Sequence, residues 1–331
     1  MQDWQEFLSK QTLSLGPIAE CALSDLSPLG LIRVNGKDAR QFLQGQLTND
    51  VTQVDAGHSQ LSSYCSPKGR MLASFRIFER EGDLFLALPM ERLEAILKRL
   101  RMFVLMSKVQ LEDASGELAR IELSGECASD LLPIDPPAED DGVTSGDGYS
   151  VIRVAGDRPR FEVIAPAAQI RALWEEAAAS AAPTGFTAWK LLDIRAGIPS
   201  VWEQTVETFV PQMANLQAVK GVSFTKGCYT GQEIVARMQY LGKLKRRMYR
   251  VRIASPATPA AGDELFSEHS ASGQGAGRLV SVAPAPEGGF EALAVIEISV
   301  ADTGAVHLGS PEGARLEFLD LPYPIHANGN D

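Results

Sequence analysis

The segment Lys226-Gly227-Cys228-Tyr229-Thr230-Gly231-Gln232-Glu233 decides how this 331-residue chain is read. Thr230 and Glu233 stand at the T-x-x-E spacing of a capping box, and the run IVARMQYL (234–241) continues from it. The spacing predicts a helix that begins here, with Cys228 just ahead of its N-terminus. The positive end of a helix favours an anion, and Lys226, two residues away, adds a cation. Both favour the thiolate form of a cysteine. Gly227 and Gly231 let the backbone turn sharply and approach a ligand. Together these features describe a reactive cysteine. On spacing alone a blander reading stays open: Cys228 as a small buried hydrophobe and Lys226 as an exposed surface charge.

Outward from this segment, the chain alternates strand and helix patterns. Leu29–Val34 is apolar, Asn35-Gly36 signals a turn, and Asp38 is placed to cap a helix through Phe42 and Leu43 that ends near GQLTND (45–50). Residues 56–114 read as one unit. Strands are expected at Leu61–Cys65, Met71–Phe78, Leu84–Leu88 and Val104–Leu111. A helix over Arg92–Met102 follows from the spacing of Leu93, Ile96, Leu97 and Leu100. Residues 115–215 repeat the mixture, with a loop at PIDPPAEDDGVTSGDG (133–148). Helices are expected at Ile170–Ala181 and Ala188–Ala196, the latter punctuated by Gly197 and Pro199. From about 245, short β-type runs (Met248–Ile253, Gly277–Val282, Ala292–Val300, Ala314–Phe318) suggest a small barrel or sandwich and a boundary near 240. The fold class is α+β.

Composition narrows the function classes. The net charge of −11 argues against broad electrostatic binding to nucleic acid or an anionic membrane. One basic run opposes that balance: Arg237, Lys243, Lys245, Arg246, Arg247, Arg250 and Arg252, with no acid among them. It reads either as an edge strand guarded by charge or as an anion or RNA contact. Cys21, Cys65, Cys127 and Cys228 are far apart and the four histidines are scattered, so neither a disulfide framework nor a zinc site is expected. Cys21, Cys65 and Cys127 read as structural. Free thiols, an N-terminus without a secretory pattern and the lack of a membrane-length apolar run place the chain in the cytoplasm.

The octapeptide KGCYTGQE resembles the signature of the YgfZ family, folate-binding proteins related to the glycine cleavage T-protein. FLQGQLTNDV (42–51), CSPKGRMLASFRIF (65–78), IRAGIP (194–199), FVPQMANLQAV (209–219) and LPYPI (321–325) resemble its further blocks, in the expected order. The resemblance implies an α+β domain from 1–55 with 115–240, a ferredoxin-like α+β domain over 56–114, and a C-terminal antiparallel β-barrel over 241–331, arranged about a folate cleft. It implies tetrahydrofolate or a related folate as ligand, with Leu29, Trp189, Asn49 and Arg195 as candidate contacts. Trp189 would stack on a flat ring or pack in the core ahead of a helix. Asn49 and Asp50 would hydrogen-bond a ligand or close a turn, the turn being favoured for Asp50. Cys228 would be the reactive centre and Lys226 its activator, with Gly227, Tyr229, Thr230, Gly231, Gln232 and Glu233 shaping the loop and helix cap. The implied role is assembly or repair of iron–sulfur enzymes, including tRNA-modifying ones, with those clients as partners; direct tRNA contact is the weaker reading. Two departures from the T-protein pattern stand out. Ala73 and Ser74 occupy the places of a carboxylate pair, which argues against aminomethyl transfer by that route. Arg195 replaces a glutamate and cannot accept hydrogen bonds from a pterin. A one-carbon transferase and a noncatalytic RNA- or protein-binding module are the alternatives.

Overall fold

The structure, a computed structural model, describes residues 2–14, 19–270 and 275–324. The chain forms two compact units. One comprises Met1–Gln44, Asp50–Gln60 and Phe75–Trp189; the other comprises Gly45–Asn49, Leu61–Ser74 and Lys190–Asp331. The architecture is α+β with three sheets.

In the first unit, a six-stranded sheet takes the order Ala182–Thr184, Ala22–Asp25, Leu118–Ser124, Arg160–Pro166, Tyr149–Arg153, Val143–Gly146. Only its first pair is parallel. Helix Ala167–Ala177 covers it with Ile170, Leu173, Trp174 and Ala177, the stripe that a 3.6-residue period puts on one face. Trp4 packs edge-on against Trp174 at 5.6 Å, and its indole N–H donates to Asp25. Arg160 and Glu122, both fully buried, pair at 2.8 Å on neighbouring strands, so each charge is desolvated but matched. This helix starts three residues and ends four residues earlier than the sequence pattern suggests, following directly on Pro166 at its N-cap.

A second sheet runs Gln60–Cys65, Met71–Arg80, Asp83–Pro89, Leu29–Asn35, Gln110–Asp113. Helix Met90–Arg101 buries Leu93, Ile96, Leu97 and Leu100 on it, as the spacing predicts, and Arg101 donates to the Leu111 carbonyl. The strand expected at Val104–Leu111 shortens to Gln110–Asp113. Met102, Phe103, Leu105 and Met106 lie exposed in the connection, an apolar run without a buried face. Asp38 precedes helix Ala39–Gln44 as expected, but its carboxylate accepts from the Lys108 N–H, and its own carbonyl starts the helix by accepting from Phe42.

In the second unit, an open antiparallel sheet forms a curled half-barrel in the order His307–Leu308, Glu264–Phe266, Gly277–Pro284, Phe290–Glu297, Arg246–Ile253, Leu316–Leu319. Its core is Val251, Ile253, Leu265, Leu279, Ala292, Ala294 and Ile296. A bulge between Leu279 and Ser281 bends it, and Ser281 accepts the indole N–H of Trp202. The strand read as Ala292–Val300 stops at Glu297, where helix Ile298–Ala301 begins.

The cysteines require a correction. Cys21 and Cys127 form a disulfide, with Cα atoms 5.8 Å apart across 106 residues of sequence. Strands Ala22–Asp25 and Leu118–Ser124 pair with Ala22 opposite Ser124, and that register brings the two thiols together. Only Cys65 and Cys228 are free. Among the described residues no helix is long and apolar enough to cross a membrane.

Candidate functional site

The loop that carries Cys228 is built in the second unit from the residues of the octapeptide. Helix Gln232–Tyr240 begins one residue later than a cap at Thr230 requires. Gly231 is the N-cap, at φ 84°, and no side chain caps the helix, so the capping box of Thr230 and Glu233 is not formed. The reason is steric: a Cβ on Gly231 would lie 2.4 Å from the Ser66 carbonyl oxygen, so the backbone passes where only glycine fits. Gln232 reaches back to the Gly227 carbonyl at 3.4 Å, Glu233 is exposed, and Cys228 stands exposed ahead of the helix.

Lys226 is not a surface charge. Its side chain is buried, and its ammonium donates to the carbonyls of Leu47 and Asn49, each at 2.7 Å, while lying 5.2 Å from the Tyr229 ring. A buried ammonium needs such partners, and two carbonyls that have lost water need such a donor. Asn49 extends the clamp: its amide donates to the carbonyls of Leu61 at 2.8 Å and Lys220 at 2.7 Å, and its backbone N–H to Ser62. Thr48 donates to the Gly221 carbonyl at 2.8 Å. The segment GQLTND thus ties the loop from 220 to 226 in place, and Asn49 is spent on backbone groups of its own unit. Asp50 caps a short 3-10 turn over Val51–Gln53, the turn-closing role read for it.

Beneath the loop lies Tyr229, buried, with its phenol held above its ordinary value by burial and by the neighbouring Cys65. Burial pushes the Cys65 thiol up to about 12. Ala73 is fully buried and its carbonyl accepts from Ser63; Ser74 accepts from the Val201 N–H at 3.0 Å. The two places that would hold carboxylates therefore carry packing and a backbone hydrogen bond.

Arg195, at the end of helix Phe186–Arg195, forks onto Glu291 at 3.1 and 2.7 Å, and Arg250 takes the other oxygen at 2.7 Å. Burial pushes Glu291 up, but these two guanidiniums outweigh it and hold the carboxylate below its usual range. The basic run is not an edge strand: Arg246–Ile253 lies between two neighbours, and its side chains meet carboxylates across the ladder, Arg246 with Glu297 and Arg250 with Glu291. Arg237, Lys243 and Lys245 are exposed.

In the first unit, Leu29 and Trp189 come together with Leu26 and Phe186 in a small apolar cluster. Phe186 stacks on Trp189 at 4.8 Å, three residues ahead of it on the same helix. The Trp189 indole N–H is buried and has no acceptor among the described residues. The rings stack on each other and pack with two buried leucines, an apolar cluster within this unit. Phe186 was missed from sequence, although its i, i+3 spacing to Trp189 was a usable signal. In LPYPI, Tyr323 donates to the Gly197 carbonyl at 2.8 Å, and Ile325 lies outside the described residues.

Three sheets in this order define an α+β protein of a T-protein-like fold. The glycine cleavage system aminomethyltransferase T from Bartonella henselae matches it over 93% of this chain and 87% of that one, with a TM-score of 0.71 at 17% identity, a likeness of fold alone. Residues 18–134 match the GCVT N-terminal domain family. Nearer relatives are narrower in kind. A protein of Colwellia psychrerythraea is 33% identical over 323 residues, covering 96% of this chain and 98% of that one. A protein of Photobacterium profundum is 35% identical over 313 residues, covering 93% of each. Both are called tRNA-modifying protein YgfZ. The chain belongs to the YgfZ family.

Proposed function

We propose that this protein binds a reduced folate and supports tRNA modification as an accessory factor for iron–sulfur enzymes, with Cys228 as its reactive group. The observation that carries the reading is the contrast within the octapeptide: a thiol held out in the open on a loop whose neighbouring lysine is locked into the protein. A small thiol needs no such clamp to fill a surface. A fixed loop presents it to a partner at one place, which suits attack on, or ligation of, a group brought by another protein. One thiolate supplies one of the four ligands a cluster ordinarily takes, so the cluster stays with the client.

A bound folate would supply a one-carbon carrier. Trp189 and Phe186 would offer ring faces to it, Leu26 and Leu29 apolar cover, and the Trp189 N–H a donor. Ala73 and Ser74 hold no proton to give or take near neutral pH, so the aminomethyl chemistry of the T-protein fold is not the activity proposed.

The test has two arms. Calorimetric titration with tetrahydrofolate is expected to show saturable binding, weakened roughly tenfold or more in Trp189→Ala through loss of the stacking face. In cells lacking the protein, a copy carrying Cys228→Ala is expected to leave the modified tRNA nucleoside at the level of the null strain, whereas wild type restores it. Full restoration by Cys228→Ala would remove the thiol from the proposal, and absence of folate binding would remove the ligand.

A further inference from the structure

Within the second unit lies a cavity of about 520 Å³ that none of the residues discussed as folate contacts lines. Its walls include Arg70, Phe209, Met213, Arg246, Glu264 and Arg278. The backbone builds it from two sides. Met71 and the stretch 207–209 pair through main-chain bonds of 2.8 and 2.9 Å, and Arg70 donates to the Thr208 carbonyl at 2.6 Å, which fixes its guanidinium beside Phe209. Opposite, the sheet register sets Glu264 directly across from Arg278 and Arg246 directly across from Glu297.

The charges do not cancel. Glu264 pairs with Arg278 and Glu297 with Arg246, but no carboxylate lies within ion-pair distance of Arg70 among the described residues. One guanidinium is left in excess in a concave site, on a chain whose net charge is −11. A cavity wall that keeps a surplus cation against that background selects an anion. Guanidinium forks suit the oxygens of a phosphate. The volume lies within the range of small-molecule sites, about 300–1,000 Å³. It exceeds what a lone phosphate fills, and Phe209 and Met213 give the remainder an apolar wall. The Glu264 carboxylate can accept from a hydroxyl or amino group.

We propose that this cavity binds a nucleotide, with the phosphate on Arg70 and Arg278 and the base against Phe209 and Met213. The nucleotide is either free or the phosphorylated end of an RNA; the recognising chemistry is the same. The inference stands apart from the folate reading, since it uses none of its residues.

The full-length protein is titrated calorimetrically with AMP, adenosine, inorganic phosphate and a short 5′-phosphorylated oligoribonucleotide. AMP is expected to saturate in the micromolar to low millimolar range, adenosine to give no signal, and inorganic phosphate to bind more weakly than AMP. Arg70→Ala is expected to weaken AMP at least about tenfold, with Arg70→Lys between it and wild type, because a lysine keeps the charge and loses the fork. Arg70 also holds the 208 carbonyl, so Arg278→Gln serves as the second variant and decides the matter if Arg70→Ala is unfolded. An oligonucleotide tighter than AMP assigns the ligand to RNA, and the reverse assigns it to free nucleotide; both support the site. The proposal is overturned if AMP and the oligonucleotide are both silent at millimolar concentration. It is equally overturned if phosphate alone binds as tightly as AMP, or if a folded arginine variant binds as wild type does.

Discussion

Cys65 and Cys228 belong to the same unit and occupy opposite settings. Cys65 is fully buried in a strand, beside Ser63 and near Tyr229, and burial pushes its thiol up to about 12. Cys228 is exposed on a loop whose neighbour, Lys226, is the buried group. The octapeptide thus inverts the usual arrangement, with the charged side chain inside and the small sulfur outside. The polar investment goes into holding the backbone still: a lysine, an asparagine and a threonine all end on carbonyls. The difference teaches that the thiol is the part of the motif free to meet something else.

The largest effect that can break this contrast is chemical. In native protein without reductant, iodoacetamide is expected to modify Cys228 alone, since Cys21 and Cys127 are joined and Cys65 is sealed. Denaturation should release Cys65 as a second site. At pH 8 the raised value and the burial together should slow Cys65 by more than about a thousandfold relative to an open thiol. The same shift fixes a pH dependence. A thiol raised from 9.0 to about 12 favours the folded state fully below pH 9, and that contribution is lost as pH rises toward 12. Tyr229 and Tyr323, also raised by burial, add to the loss above pH 10. Urea midpoints measured from pH 8 to 11 should fall, with Cys65 contributing at most about 1.4 kcal/mol per pH unit. Cys65→Ala should flatten the curve between pH 9 and 10, before the tyrosines titrate. Equal labelling of both thiols in the native state would erase the contrast.

The next effect sharpens it. Lys226→Met keeps the length of the side chain and removes the donor, which leaves the carbonyls of Leu47 and Asn49 buried without it. The expected loss is about 2–4 kcal/mol in urea denaturation. A variant as stable as wild type would show that the lysine is not the clamp, and would return it to the role of activating the thiol.

That second role is what the sequence suggested, and the reason it reads differently in the structure is instructive. The octapeptide, its helix and the helix over Leu93, Ile96, Leu97 and Leu100 were legible because their signals are local, within one or two turns. What escaped depends on partners far along the chain. Lys226 meets carbonyls 177 and 179 residues away, Arg195 meets a carboxylate 96 residues away, and Cys21 meets Cys127 across 106. No spacing rule reports such pairs. The run from 237 to 252 looked like a charged edge because its acids lie on the facing strand, at 291 and 297. The capping box failed for a local reason of a different sort: Thr230 has the right chemistry, but the Ser66 carbonyl admits only glycine at the next position, and the helix waits for it.

The smallest expected effect is also the most telling. Cys228→Ser changes one exposed atom, in a loop whose hydrogen bonds come from Lys226, Gln232 and backbone groups and not from the thiol. Substitutions of this kind, away from the core and from buried partners, stay within about 0.5 kcal/mol of wild type. The urea midpoint of Cys228→Ser should therefore overlie that of wild type, while Lys226→Met shifts it. If a stable Cys228→Ser then fails to restore tRNA modification, the loss belongs to sulfur chemistry, since serine keeps the size and a hydroxyl donor but gives no thiolate near neutral pH. If instead Cys228→Ser is destabilised by as much as Lys226→Met, the thiol is part of the clamp, and the division of labour between the two residues disappears.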